Sequence, residues 1–103
     1  MDPITTKRAA LRFPVRCQIH CDTGDQTFLA ESFDLSEDGM SFVTGADLPV
    51  NSEALLQYRL QPDDPLITVR VLVRYRQGDR IGVQFLDLHH EHREMIKRRA
   101  AGT

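Results

Sequence analysis

Apolar and polar residues alternate along much of the chain, with the two-residue period that places successive side chains on opposite faces of a β-strand. The alternation is clearest in residues 13–21 and 67–74. Further strands are predicted over 27–34, 40–44, 53–60 and 81–86, although the apolar run inside 53–60 would also suit a helix. Gly, Asp and Pro mark turns at 22–25, 62–65 and 77–79. Several strands of similar length with turns between them predict a mainly β fold, as a small antiparallel barrel.

The two ends of the chain lack this alternation. Residues 1–11 hold little apolar surface and include a proline, so we expect a flexible basic arm there. Residues 89–99 contain neither Pro nor Gly and place Met95 and Ile96 on one face, which predicts a terminal helix packed on the barrel. The predicted organisation is therefore an arm over 1–11 followed by a single domain over 12–103.

Length and composition fit one soluble domain. A chain of 103 residues with 41% hydrophobic and 27% charged residues is ordinary for a globular protein with one core. No apolar run approaches the roughly 20 residues of a membrane span, and the N-terminus lacks the apolar stretch of a secretory signal, so we expect a cytoplasmic location. Cys17 and Cys21 lie about 13 Å apart along a strand, which predicts free, buried or half-buried thiols.

Charge is distributed unevenly, although the net charge is only −2. Residues 1–16 carry four basic side chains against one acidic, whereas residues 17–90 carry twelve acidic side chains against five arginines. An acidic body repels a long polyanion such as DNA, whereas a short basic segment still attracts a small dianion. A general nucleic-acid binder is therefore disfavoured.

Two short motifs carry the candidate chemistry. Arg8 and Arg12 form an RxxxR pair, and their guanidinium groups suit phosphate oxygens and the acceptor edge of guanine. Asp34, Ser36 and Gly39 form a DxSxxG loop, in which the Asp and Ser share a face and the glycine lets the chain turn where a side chain would obstruct. The alternative interpretation is an ordinary solvated basic tail and a structural turn whose Asp and Ser cap backbone amides.

The two motifs, together with residues 12–15 entering the first strand and residues 80–88 near the end, resemble the PilZ domain family. The resemblance covers nearly the whole chain. It implies a small six-stranded antiparallel β-barrel with a C-terminal α-helix. It also implies that the ligand is cyclic di-GMP, a dianion with two guanines, and that no cofactor is needed.

The resemblance assigns Arg8 and Arg12 to the phosphates and guanine edges of this ligand. Many family members have an arginine where this chain has Lys7, which is therefore also a candidate ligand-binding residue. Lysine keeps the charge but lacks the planar fork that grips or stacks on a second guanine. Binding of one ligand molecule is therefore favoured over uptake of an intercalated dimer.

The same resemblance assigns the loop. Asp34 would accept hydrogen bonds from guanine N1 and N2, Ser36 would bond to phosphate, and Gly39 would permit close approach of the backbone. Glu37 and Asp38 are unfavourable beside a dianion, so we expect both side chains to point to solvent.

The predicted function is that of a receptor or adaptor, not an enzyme: binding of cyclic di-GMP changes the position of the arm and signals to an unidentified partner protein. One alternative is a PilZ-like structural adaptor without nucleotide binding, for instance in type IV pilus assembly. The other is a small-barrel nucleic-acid binder, which needs aromatic side chains on a basic face. No nucleophile elbow or phosphate loop is present, and His89, His90 and His92 lack the further ligands of a metal site.

Overall fold

Seven strands and one helix make up the part of the chain that the computed structural model describes, residues 12–102. These elements are β1 (Phe13–Pro14), β2 (Gln18–Asp22), β3 (Thr27–Leu35), β4 (Gly39–Val43), β5 (Glu53–Tyr58), β6 (Ile67–Gln77), β7 (Arg80–Phe85) and α1 (His90–Gly102). Lys7, Arg8 and the rest of the predicted arm lie outside the described residues, so the predicted flexibility of residues 1–11 stays a prediction.

Six of the strands close into a barrel. All neighbouring strands are antiparallel, in the order β3, β2, β5, β6, β7, β4, and β4 pairs back with β3. The two-residue strand β1 pairs with the end of β3, on the same edge as β2. The predicted six-stranded antiparallel barrel with a C-terminal helix is thus confirmed.

The core follows from the alternation in the sequence. Every second side chain of the longest strand, β6, is buried as far as Val73, and the outward residues between them remain exposed or half-exposed. Side chains from all seven described strands join one continuous apolar core. Helix α1 adds Ile96, which is fully buried, and Met95 packs partly buried against the same core. The predicted face of the terminal helix is therefore confirmed.

The first predicted strand, over 13–21, is interrupted. Its ladder with β3 shifts by one residue between Pro14, which pairs with Asp34, and Gln18, which pairs with Glu31. Proline has no N–H for a ladder, and the hydroxyl of Ser32 fills the gap by accepting from the Cys17 N–H at 2.9 Å and donating to the Val15 carbonyl. Beyond the interruption, β1 continues along β3 as far as Leu35, next to the DxSxxG loop.

Both cysteines are free thiols, as predicted. Cys17 is half-buried and Cys21 is buried. Burial raises the pKa of Cys17, and burial together with the neighbouring Asp22 carboxylate raises the pKa of Cys21 to about 11. Both groups are therefore protonated near neutral pH. A protonated thiol is a poor nucleophile.

Candidate functional site

A β-bulge in β3 shapes the candidate site. The register between β3 and β4 shifts between Ser32 and Asp34, which leaves Phe33 as the extra residue on β3. Phe33 points outward with half of its surface exposed. After the bulge Asp34 lies opposite Ser41 of β4. Bulges commonly re-aim side chains beside functional sites, and this one brings a carboxylate and an aromatic ring to the outer wall of the barrel.

The carboxylate of Asp34 is the centre of a polar cluster. Its Oδ1 accepts hydrogen bonds from Nη1 of Arg12 at 3.1 Å and from Oγ of Ser41 at 2.8 Å. Its Oδ2 lies 3.5 Å from Nη2 of Arg80. The side chain is 16% exposed. Because an ionised carboxylate offers about four acceptor positions, Oδ2 keeps capacity for a donor from a ligand.

Ser36 is buried and already bonded within the loop. The Ser36 hydroxyl accepts hydrogen bonds from the backbone N–H groups of Asp38 at 3.1 Å and Gly39 at 3.3 Å. The backbone N–H of Ser36 donates to the Gly39 carbonyl at 2.9 Å. These bonds are the turn-capping arrangement that formed the alternative interpretation of the loop. The predicted contact from Ser36 to phosphate stays a prediction.

Gly39 is required by packing. A Cβ atom at this position would lie 2.1 Å from the carbonyl oxygen of Val83 in β7. A side chain at position 39 would therefore clash, as predicted. The clash is with the backbone of the neighbouring strand β7. Among the described glycines, positive φ values occur at Gly24 and Gly78, in two of the three predicted turns.

One cation of helix α1, Arg93, lies beside both acids of the loop and offsets part of their charge. Nη1 of Arg93 donates to the Glu37 carbonyl at 3.0 Å and lies 3.7 Å from the Glu37 carboxylate and 3.9 Å from the Asp38 carboxylate. The prediction that both acids point to solvent is wrong for Glu37, whose side chain is only 28% exposed. A cation brought from the far end of the sequence thus offsets the charge that would repel an anionic ligand.

Two recesses meet at Arg12. The larger, of about 450 Å³, lies between the start of the domain and the outer face of β3, and its lining includes Phe33 and Asp34. The smaller, of about 150 Å³, lies over β6 and β7, and its lining includes Gly39 and Tyr75. The Tyr75 ring covers Gly82, where a Cβ would lie 2.1 Å from Cε2 of the ring. Arg12 therefore lies between two concave surfaces that each include an aromatic ring, and Asp34 lines the larger of them.

The structure brings together only part of the predicted site. Arg12 contacts Asp34 directly, and Ser36 and Gly39 lie in the loop that follows β3. Arg8 and Lys7 are outside the described residues. Arg80 and Ser41 complete the cluster around Asp34, and Arg93 contacts the acids of the loop. None of the three was predicted, since nothing local in the sequence marks them.

Other classes of site find little support in residues 12–102. Within that range no three His, Cys, Asp or Glu side chains are grouped so that they could hold a metal ion. The His89 and His92 rings lie 5.7 Å apart in a tilted contact. In the same part of the chain, no helix combines the length and the apolarity needed to cross a membrane.

Comparison with known proteins places the chain in a family. Residues 6–102 match the family model of the PilZ domain. The chain belongs to the PilZ family. A comparison with curated proteins finds no match. The PilZ assignment covers both motifs, since Arg8 and the DxSxxG loop fall within the matched residues.

Several solved structures share the fold at low sequence identity. The PilZ domain of Escherichia coli YcgR with c-di-GMP superposes with a TM-score of 0.74 at 13% identity, over 93% of this chain and 90% of that one. Bacillus subtilis MotI, an inhibitor of motility, superposes with a TM-score of 0.80 at 12% identity, over 91% of this chain and 49% of that one. The K. pneumonia MrkH complex with c-di-GMP superposes with a TM-score of 0.67 at 20% identity, over 88% of this chain and 49% of that one. The chain spans about half the length of MotI and MrkH.

Proposed function

We propose that this protein is a receptor for cyclic di-GMP that binds the ligand at Arg12 and Asp34 on the outer wall of the barrel. The observation that carries the proposal is the direct contact between the two motifs. They lie 22 residues apart in the chain, yet Arg12 Nη1 and Asp34 Oδ1 are 3.1 Å apart. The PilZ family assignment and the c-di-GMP complexes of YcgR and MrkH support the choice of ligand.

Each group at the site suits one part of the ligand. Arg12 is 46% exposed, so its guanidinium is free to leave Asp34 and bond to phosphate or to the N7 and O6 acceptors of guanine. The carboxylate released from Arg12 then accepts hydrogen bonds from guanine N1 and N2. Adenine presents no donor at N1, so the same carboxylate gives selectivity for guanine.

The proposed mechanism is one of binding and not of catalysis. Lys7 and Arg8 close over the ligand and place positive charge beside its phosphates. Ordering the arm in this way costs about 1 kcal/mol or more of conformational entropy for each residue that becomes ordered. The arginine contacts offset that cost, so order in the arm and occupancy of the site are coupled. The altered surface is read by a partner protein in the cytoplasm, and no cofactor takes part.

Calorimetry with cyclic di-GMP tests this proposal. The wild-type chain should bind saturably, and Arg12→Ala should weaken binding by about 2 kcal/mol, on the order of thirtyfold, because a charge-assisted hydrogen bond is lost. Arg12→Lys should recover only part of the affinity. Arg70→Ala is the matched control, because Arg70 is 53% exposed, pairs with Glu53 and Asp87 at 3.2 Å each, and lines neither recess at Arg12.

The second candidate is a PilZ-type structural adaptor without nucleotide binding. It is favoured by the loop hydrogen bonds of Ser36 and by the ion pair between Arg12 and Asp34, which satisfy the motif residues internally. A wild-type chain that binds neither cyclic di-GMP nor single-stranded RNA in parallel titrations would favour this candidate. Binding of the RNA alone would instead indicate the small-barrel nucleic-acid binder.

A further inference from the structure

The bulged residue Phe33 and the guanidinium of Arg80 form a flat, exposed pair beside Asp34. The Arg80 Cζ atom lies 4.0 Å from the centroid of the Phe33 ring. Phe33 is half exposed and the Arg80 side chain is 38% exposed. Three of the other four phenylalanines are buried in the core, so an exposed ring at the edge of the site is an exception to the pattern of this chain.

We propose that this pair, the Phe33–Arg80 platform, stacks against one guanine base of the ligand. The inference rests on the proposed function and adds to it two binding residues that lie outside both motifs. Purine rings stack on aromatic side chains and on guanidinium planes. The platform lines the same recess as Arg12 and Asp34 through Phe33, so a base stacked there presents its edge to the carboxylate.

The guanidinium of Arg80 makes few polar contacts among the described residues. Its contact with Asp34 Oδ2 is long, at 3.5 Å, and its buried Nε atom has no hydrogen-bond partner among residues 12–102. Stacking on Phe33 is the other contact of this side chain. When guanine takes the carboxylate, Arg80 loses that partner and its in-plane donors become available to a phosphate oxygen of the ligand.

The platform also supplies what Lys7 lacks. A lysine before the RxxxR pair cannot stack on a base as an arginine does. The Phe33–Arg80 platform provides a stacking surface from the barrel itself, which does not depend on the position of the arm. The bland alternative is a surface cation–π pair that contributes slightly to stability and takes no part in binding.

Fluorescence separates these interpretations, because the chain contains no tryptophan. Phe33→Trp introduces a single indole at the platform, and guanine quenches indole emission when the two rings stack. Leu29→Trp is the matched control, since Leu29 is 58% exposed on the same strand about 13 Å away. Titration with cyclic di-GMP should quench Phe33→Trp saturably and leave Leu29→Trp nearly unchanged.

Affinities from calorimetry complete the test. Phe33→Ala should weaken binding of cyclic di-GMP at least about tenfold, as expected for one lost stacking contact, and Phe33→Tyr should retain most of the affinity. Leu29→Ala should bind like the wild type. Wild-type affinity in Phe33→Ala, or an unquenched Phe33→Trp that still binds, would overturn the platform and leave the proposed function intact. A wild-type chain that binds no cyclic di-GMP would overturn both.

Discussion

Replacement of Asp34 by alanine should affect both the stability of the barrel and the recognition of the ligand. The Ser41 side chain is fully buried, and among residues 12–102 its hydroxyl donates to Asp34 alone. Asp34→Ala leaves that donor without an acceptor, which costs about 1–3 kcal/mol. The partly exposed ion pairs with Arg12 and Arg80 add about 0–1 kcal/mol each.

We therefore expect the free energy of unfolding to fall by about 2 kcal/mol in Asp34→Ala, with a decrease in Tm on the order of 10 °C. Urea and thermal denaturation without ligand measure both quantities. The double variant Asp34→Ala/Ser41→Ala should be about 1 kcal/mol more stable than Asp34→Ala, because the unpaired hydroxyl is gone. Ser41→Ala alone should keep cyclic di-GMP binding, whereas both variants that lack Asp34 should bind cyclic di-GMP more weakly and with less preference over cyclic di-AMP.

The reasoning fails if Asp34→Ala unfolds at the same urea concentration as the wild type, or if the second substitution destabilises the protein further. A large loss of stability with unchanged affinity would mean that the loop of Asp34 is only a structural turn.

Three further substitutions test the surroundings of the site. Gly39→Ala should lower stability by about 1–3 kcal/mol because its Cβ meets a backbone carbonyl of β7, whereas Gly45→Ala, which has open space and serves as the control, should change urea unfolding little. Arg93→Ala should weaken cyclic di-GMP binding several-fold at low salt and less at high salt, because the loop acids lose their cation; equal loss at both salts would contradict this electrostatic account. Asp87→Asn should lower the free energy of unfolding at neutral pH. The backbone N–H of Arg70 donates a hydrogen bond to the Asp87 carboxylate, the Arg70 guanidinium lies beside it, and both lower the pKa of Asp87 from 3.8. Since that pKa is lowered in the folded state, the stability is present above about pH 3.8 and disappears as the pH falls through the lowered value, which acid titration of both proteins would show.

The alternation of apolar residues was sufficient to predict a β-rich fold, because each strand has one face in the core and one outside, whereas six strands closed into a barrel were implied by the PilZ resemblance. The prediction of a single strand over 13–21 was right for burial and wrong for the ladder. Burial follows the period of apolar side chains, which is visible in the sequence. The ladder depends on the register with β3, and where that register shifts the Ser32 hydroxyl bonds to backbone groups that the ladder leaves unpaired. Register is a property of a pair of strands, so it could not be predicted from the sequence of either strand alone.

The candidate site was predicted only where its residues share a motif. Arg80 lies 46 residues from Asp34, and Arg93 lies 56 residues from Glu37, so only barrel closure and helix docking bring these cations to the loop. The bulge at Phe33 is equally hidden, since β3 continues its alternation of exposed and covered side chains up to it. Sequence reasoning therefore found the motif residues and missed the groups that neutralise and orient them.

A titration of the full, ¹⁵N-labelled chain with cyclic di-GMP, followed by NMR, tests the central claim most directly. The account predicts saturable shifts of the amide signals of Arg12, Phe33, Asp34 and Gly39, together with those of Lys7 and Arg8 in the arm. Signals from the far end of β3, such as the amide of Gly24 in the turn between β2 and β3, should stay in place and serve as an internal control. Absence of shifts at saturating ligand, or shifts concentrated around Gly24, would contradict a cyclic di-GMP site at Arg12 and Asp34.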